Sequence, residues 1–122
     1  IMQELPGTTS GVDQDLTVLF ADLRGFTARS QHLPAPEIVR LLNRFFGEMV
    51  DVIEQEHVGM VNKFLGDGLM ALFGVIPGEQ AHADVALRAV VEMQTRLERL
   101  NHEWAAEGLP PLKMGIGLCS GS

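Results

Sequence analysis

The sequence predicts one α+β domain whose elements run strand, helix, strand, strand, helix, strand. Three observations predict it. Apolar residues recur at three- and four-residue steps along two long segments, as amphipathic helices require. Short apolar runs carrying β-branched and aromatic residues flank those segments and read as strands. Gly66-Asp67-Gly68 separates two of the runs and reads as a hairpin turn, because glycine and aspartate tolerate the positive φ of tight turns.

Residues 1–15 are rich in Gly, Thr, Ser and Asp and read as a linker or loose lead-in. Leu16-Thr17-Val18-Leu19-Phe20-Ala21 reads as a buried strand, and residues 22–27 end it and turn the chain. Pro34 or Pro36 suits the first turn of a helix. Ile38, Leu41, Leu42, Phe45, Phe46, Met49, Val52 and Ile53 then form one apolar face, closed by His57 and Gly59. Two strands, residues 60–65 and 69–73, enclose the hairpin turn. A second helix runs from about Ala81 to Ala106 with Val85, Ala89, Val90, Met93, Leu97, Leu100 and Trp104 inward; Gly108, Pro110 and Pro111 stop it. Residues 112–119 form the last strand.

The 122 residues suffice for one core, and 46% hydrophobic with 20% charged residues is ordinary globular composition. No apolar run approaches the ~18 residues a membrane span needs. The net charge of −7 argues against nucleic-acid binding, which needs clustered Lys and Arg. An anionic ligand must therefore meet a bound cation or backbone N–H groups. The single cysteine, Cys119, excludes an internal disulfide and a cysteine zinc site; it reads as a small buried strand residue in a reducing, cytoplasmic setting.

A strand–helix–strand unit crosses over right-handed, so its two strands are parallel. If the third strand lies between them, Asp22 and Asp67 meet at one sheet edge, each where regular pairing stops. Two carboxylates about 4 Å apart repel by about 4 kcal/mol at an effective dielectric of about 20, so either one is protonated or cations bind between them. No His or Cys is close by in sequence, which favours Mg²⁺ or Mn²⁺ over zinc. Two such ions about 3.5–4 Å apart can clamp the attacking and leaving oxygens of phosphoryl transfer. Gly25-Phe26-Thr27 supplies a glycine turn whose N–H groups can cradle a phosphate. Taken singly, Asp22 and Asp67 are ordinary loop residues, and Lys63 is an ordinary edge lysine. Phe26 is expected to pack under its turn. The four histidines share no metal-ligand spacing and read as surface or cap residues.

The joint order of these blocks resembles the class III nucleotidyl cyclases. The resemblance rests on residues 16–27 (Leu-Thr-Val-Leu-Phe-Ala-Asp-Leu-Arg-Gly-Phe-Thr), 41–46 (Leu-Leu-Asn-Arg-Phe-Phe), 62–74 (Asn-Lys-Phe-Leu-Gly-Asp-Gly-Leu-Met-Ala-Leu-Phe-Gly) and 114–121 (Met-Gly-Ile-Gly-Leu-Cys-Ser-Gly). It implies a ferredoxin-like βαββαβ sandwich, an antiparallel sheet with helices on one face, incomplete at the C-terminus. Residues 16–122 would be roughly the first two-thirds of a catalytic domain that converts ATP to 3′,5′-cyclic AMP and pyrophosphate. It implies Asp22 and Asp67 as metal-binding and catalytic residues, with the Leu23 carbonyl as a further metal ligand for two divalent cations. Gly25, Phe26 and Thr27 would hold the triphosphate.

Lys63 matches the family's adenine-reading lysine, where guanylate cyclases place a glutamate. A lysine donor suits adenine N1, an acceptor, whereas guanine N1 carries a proton. The resemblance also implies a head-to-tail homodimer, with aspartates from one copy and Lys63 from the other. The family's second base-reading residue, and the asparagine and arginine that stabilise its transition state, follow the last strand and lie beyond Ser122. The 122 residues alone are therefore expected to have negligible activity. A guanylate cyclase, or a degenerate cyclase domain that senses nucleotide, is the alternative. A diguanylate cyclase would carry a Gly-Gly-Asp/Glu-Glu-Phe hairpin, unlike Gly66-Asp67-Gly68.

Overall fold

A computed structural model describes residues 15–26, 31–75, 81–109 and 111–121. The lead-in segment, apart from Asp15, lies outside the described residues, as does Thr27. The elements are β1 (Leu16–Arg24), α1 (Ala35–Val50), a π-helical turn (Asp51–Glu56), β2 (Met60–Leu65), β3 (Gly68–Phe73), α2 (His82–Ala106) and β4 (Lys113–Gly121). The four strands form one sheet in the order β2-β3-β1-β4, and each neighbouring pair is antiparallel. β3 thus lies between the parallel β1 and β2, as the sequence predicts.

Both helices cover the same face of the sheet. Thr17, Leu19, Ala21 and Leu23 alternate inward along β1 and join a core built on Phe45, Met49, Ile53, Met93, Leu100 and Trp104. The opposite face is open, and Phe20 is 45% exposed there. The expectation of a buried β1 therefore holds for one face only. An all-apolar run cannot reveal that one side lacks a covering layer. Cys119 corrects a second expectation: it is exposed, because it pairs with Val18 on the open face.

Pro34 precedes α1 as its N-cap, and its carbonyl accepts from the N–H groups of Glu37 and Ile38. Its apolar face runs through Leu41, Phe45 and Met49. The predicted single helix then widens into the π turn, which brings the consecutive Val52 and Ile53 both to full burial. His57 Nδ1 lies 2.9 Å from the Val52 carbonyl, and the Gly59 N–H donates to the Ile53 carbonyl at 2.7 Å. Those two bonds satisfy carbonyls that the widened turn exposes at its end. α2 buries Ala86, Ala89, Met93, Leu97, Leu100 and Trp104, at steps of three and four.

In the last turns of α2, the Asn101 side chain donates to the Leu112 carbonyl at 2.9 Å and accepts from the Leu112 N–H at 2.8 Å. This pair of hydrogen bonds ties the end of the helix to the start of β4 and sets where β4 lies beside β1. The far end of the same strands is pinned by the buried Thr17, whose hydroxyl meets His82 Nδ1 at 2.8 Å and Ser120 Oγ at 2.7 Å. His82, expected as a surface or cap residue, stands at the start of α2 and ties that helix to β1.

Candidate functional site

Asp22 and Asp67 line one cavity at the end of the two central strands, β1 and β3. The hairpin pairs Leu65 with Gly68, so Gly66 and Asp67 form a two-residue loop. Gly66 has φ +66, and the positive value falls on the first loop residue alone, the pattern of a type II′ turn. The loop tip then reaches β1: the Leu23 N–H donates to the Asp67 carbonyl at 3.0 Å. Within an antiparallel strand a residue's N–H and C=O point to the same side. The Leu23 carbonyl therefore points toward the hairpin, past the last β1–β3 pair, Asp22 with Gly68.

Asp22 corrects one detail of the sequence reading. It ends the ladder with β3, but β1 continues to pair with β4 through Leu23 and Arg24. Asp22 is thus held inside a strand on one side and released on the other. Its cross-strand partners on the two sides are Gly68 and Gly115, neither of which has a side chain. That leaves room over the carboxylate. A cavity of about 350 Å³ opens there, lined by both aspartates, Arg24, Leu65, Phe20 and the backbone of Gly115–Gly117.

The donor chemistry suits a hard divalent cation. The cavity offers two carboxylates and no sulfur or imidazole. Among the described residues no group of three or more His, Cys, Asp or Glu forms a cage. A pair of carboxylates that leaves the other positions to water and substrate oxygens is how Mg²⁺ is usually held. Gly25 follows with φ +67, and Phe26 is buried beneath it, as expected. The third member of that proposed phosphate turn, Thr27, lies outside the described residues.

Lys63 does not line this cavity. It stands exposed on β2, separated from β1 by β3. A bulge between Val61 and Lys63 nevertheless controls its direction. Val61 pairs with the buried Ala71; without the extra residue Lys63 would oppose Leu69 on the helix-covered face. The bulge pairs it with Met70 instead, on the open face that also carries Phe20 and Asp22. Phe64 consequently turns toward the helices and meets Phe46 edge-on at 5.1 Å.

Sequence reasoning missed three participants: Arg24, Gly115 and the Asn62 bulge. Arg24 Nε donates to Asp22 Oδ1 at 3.0 Å. The Asp22/Arg24 spacing of two on a strand is a signal that both share a face; the role of Gly115 depends on cross-strand register, which the sequence does not display.

This arrangement coincides with that of known proteins. The adenylate and guanylate cyclase catalytic domain family matches residues 9–122, and the chain belongs to that family. An adenylate cyclase of Anabaena cylindrica is 36% identical over 111 residues, covering 88% of this chain and 21% of that protein. The crystal structure of the guanylyl cyclase Cya2 superposes with a TM-score of 0.81 at 42% identity, covering 88% of this chain and 54% of that one. The adenylyl cyclase CyaB from P. aeruginosa gives 0.81 at 34% identity, with 88% and 56% covered. The chain thus spans about half the length of these solved domains and a fifth of the curated relative. The fold is the ferredoxin-like α+β fold of nucleotide cyclase catalytic domains.

Among the described residues no helix is long and apolar enough to cross a membrane.

Proposed function

We propose that this chain is the metal-holding part of an adenylate cyclase that converts ATP to 3′,5′-cyclic AMP and pyrophosphate. The observation that carries the reading is the convergence of Asp22 and Asp67 over a cavity floored by glycines. In the reaction the ribose 3′-oxygen attacks the α-phosphorus, its proton is lost, and the bond from that phosphorus to the β-phosphate oxygen breaks. Bound Mg²⁺ or Mn²⁺ would supply charge neutralisation and polarise the oxygens involved. Asp22 and Asp67 hold and orient those cations, with the Leu23 carbonyl as a further oxygen donor. The turn at Gly25, Phe26 and Thr27 offers N–H groups to the triphosphate.

Lys63 is the base-reading donor, and it serves the cavity of a second copy in a head-to-tail homodimer. Its exposure on the open face, away from its own chain's cavity, supports that division. Residues 16–122 correspond to the first part of the catalytic domain, and the reading assigns the reaction to the cytoplasm, where ATP and divalent cations are supplied.

A guanylate cyclase is the second reading, because the 42% identical structure is a guanylyl cyclase. Turnover of ATP and GTP by the complete protein, each with Mg²⁺ and Mn²⁺, tests both. Cyclic AMP as the main product supports the first reading. Preferential cyclic GTP transfers the assignment to the second, and metal-independent turnover of either would remove the roles given to the aspartates.

A further inference from the structure

The cavity contains a positive group that the metal reading does not use. Arg24 lies two residues beyond Asp22 on the same face of β1, and its Nε donates to Asp22 Oδ1 at 3.0 Å. Its guanidinium rests on the backbone of β4: a Cβ placed on Gly115 would overlap Nε, Cζ and Nη2. Gly115 is therefore a seat for Arg24. Both side chains of the pair remain accessible, 68% exposed for Arg24 and 54% for Asp22. Such a pair is weak and exchangeable. Among the described residues Asp22 is the one side-chain acceptor of Arg24, which leaves most of its five N–H donors for another ligand.

We propose that Arg24 is an exchangeable counter-ion of the acidic pair: it competes with a divalent cation for Asp22 and, once displaced, binds the polyphosphate of the incoming nucleotide. This rests on the reading of Asp22 as a metal ligand. A guanidinium beside a carboxylate opposes a second cation on the same oxygens, so Arg24 weakens metal binding when no phosphate is present. With phosphate present it becomes an additional cation, and its planar fork suits two phosphate oxygens at once. Metal and polyphosphate then assist each other's binding, because each takes one partner of the Arg24–Asp22 pair.

Mn²⁺ binding to the complete protein, followed by electron paramagnetic resonance without nucleotide, tests this. Arg24→Gln is expected to bind Mn²⁺ about two- to fivefold more tightly than the unchanged protein, the range for an exposed pair. Gly115→Ala, which unseats the guanidinium, should shift Mn²⁺ affinity the same way. With inorganic tripolyphosphate as probe in the presence of Mn²⁺, Arg24→Gln should bind roughly tenfold more weakly, as for a lost charge-assisted contact. Arg24→Lys should retain the weaker Mn²⁺ binding through its charge.

Unchanged Mn²⁺ affinity in Arg24→Gln, while Asp22→Asn loses binding, overturns the Arg24 role and leaves the cyclase reading standing. Mn²⁺ binding that survives Asp22→Asn overturns the metal reading and this inference together.

Discussion

Gly68 faces Asp22 across the β1–β3 ladder with no room for a side chain. A Cβ on Gly68 would stand 2.8 Å from the Ala21 carbonyl oxygen and 3.1 Å from the Asp22 Cβ. These neighbours are backbone and the root of a side chain, so the strand itself would have to move. Gly68→Ala is expected to destabilise the domain by about 1–3 kcal/mol through overpacking. It should also lower kcat steeply, since misplacing a catalytic group by about 1 Å can cost about 10²-fold. Thermal unfolding and turnover check both. Gly117→Ala is the control for stability, because its Cβ meets nothing within 4 Å.

Asp22→Asn and Asp67→Asn separate metal binding from folding. Each keeps the size of the side chain and removes its charge. Asp22 is exposed and Asp67 half-buried, and neither belongs to the core. Unfolding free energies should stay within about 0.5 kcal/mol of the unchanged protein, as for surface substitutions. Cyclase activity should fall at least about a hundredfold, the scale on which metal-site damage acts. Normal turnover in either variant would remove that residue from the metal site.

Lys63→Glu tests the base and the dimer together. Replacing the donor with an acceptor should lower kcat/KM for ATP by about 10²-fold or more and favour GTP in relative terms. Mixing Lys63→Glu with Asp22→Asn protomers distinguishes where Lys63 acts. In a head-to-tail dimer one of the two sites then combines an intact aspartate pair with an intact lysine, so activity returns. If each chain used its own Lys63, the mixture would stay as inactive as its parts. Recovery is read from cyclic AMP formed by co-purified, differently tagged protomers.

The parts legible in the sequence were those encoded by local pattern. Gly66-Asp67-Gly68 announces its turn because its residue types tolerate the required φ. The stripe through Leu41, Phe45 and Met49 announces a helix because its spacing matches the turn of one. Placing β3 between β1 and β2 then brought Asp22 and Asp67 together from chain-crossing rules alone. What stayed hidden depends on register between strands. Gly115 matters because it falls opposite Asp22 beneath Arg24, and Lys63 faces the open side because Asn62 is an extra residue. Cys119 read as buried because its neighbours are apolar, whereas only the missing layer over that face makes it exposed. The π turn escaped because Val52 and Ile53 fit the helical stripe equally well without it.

Arg96 is where that π turn is secured. Its Nη1 donates to Glu48 at 2.9 Å and Asp51 at 3.0 Å, and its Nε to Glu92 at 3.2 Å. The guanidinium thus bridges α2 to the end of α1 and the first residue of the π turn. Its side chain is 13% exposed, so its charge is largely removed from water and depends on these partners. The hydrogen bond it donates to Glu48 raises its pKa further above the ordinary arginine value, against the opposing effect of burial. A folded pKa above the unfolded one gives stability that is complete below the unfolded value and lost only as pH rises through the folded value. Both lie far to the alkaline side of neutrality, so Arg96 adds no pH dependence between about pH 5 and 9.

On the acid side Glu37 behaves oppositely. The Arg40 hydrogen bond holds its carboxyl below the usual range, so its small contribution is lost as pH falls through the folded pKa. Arg96→Met keeps the stem's packing and leaves three carboxylates without their shared cation. It is expected to cost about 2 kcal/mol, a discounted value because Asp51 and Glu92 keep access to water. For a domain of this size that is a fall of roughly 8 °C in Tm. The loss should shrink at about 1 M salt, where the repulsion among the three carboxylates is screened. A Tm difference that stays constant from about 0.1 M to 1 M salt would mean that packing of the arginine stem, not charge, secures the turn.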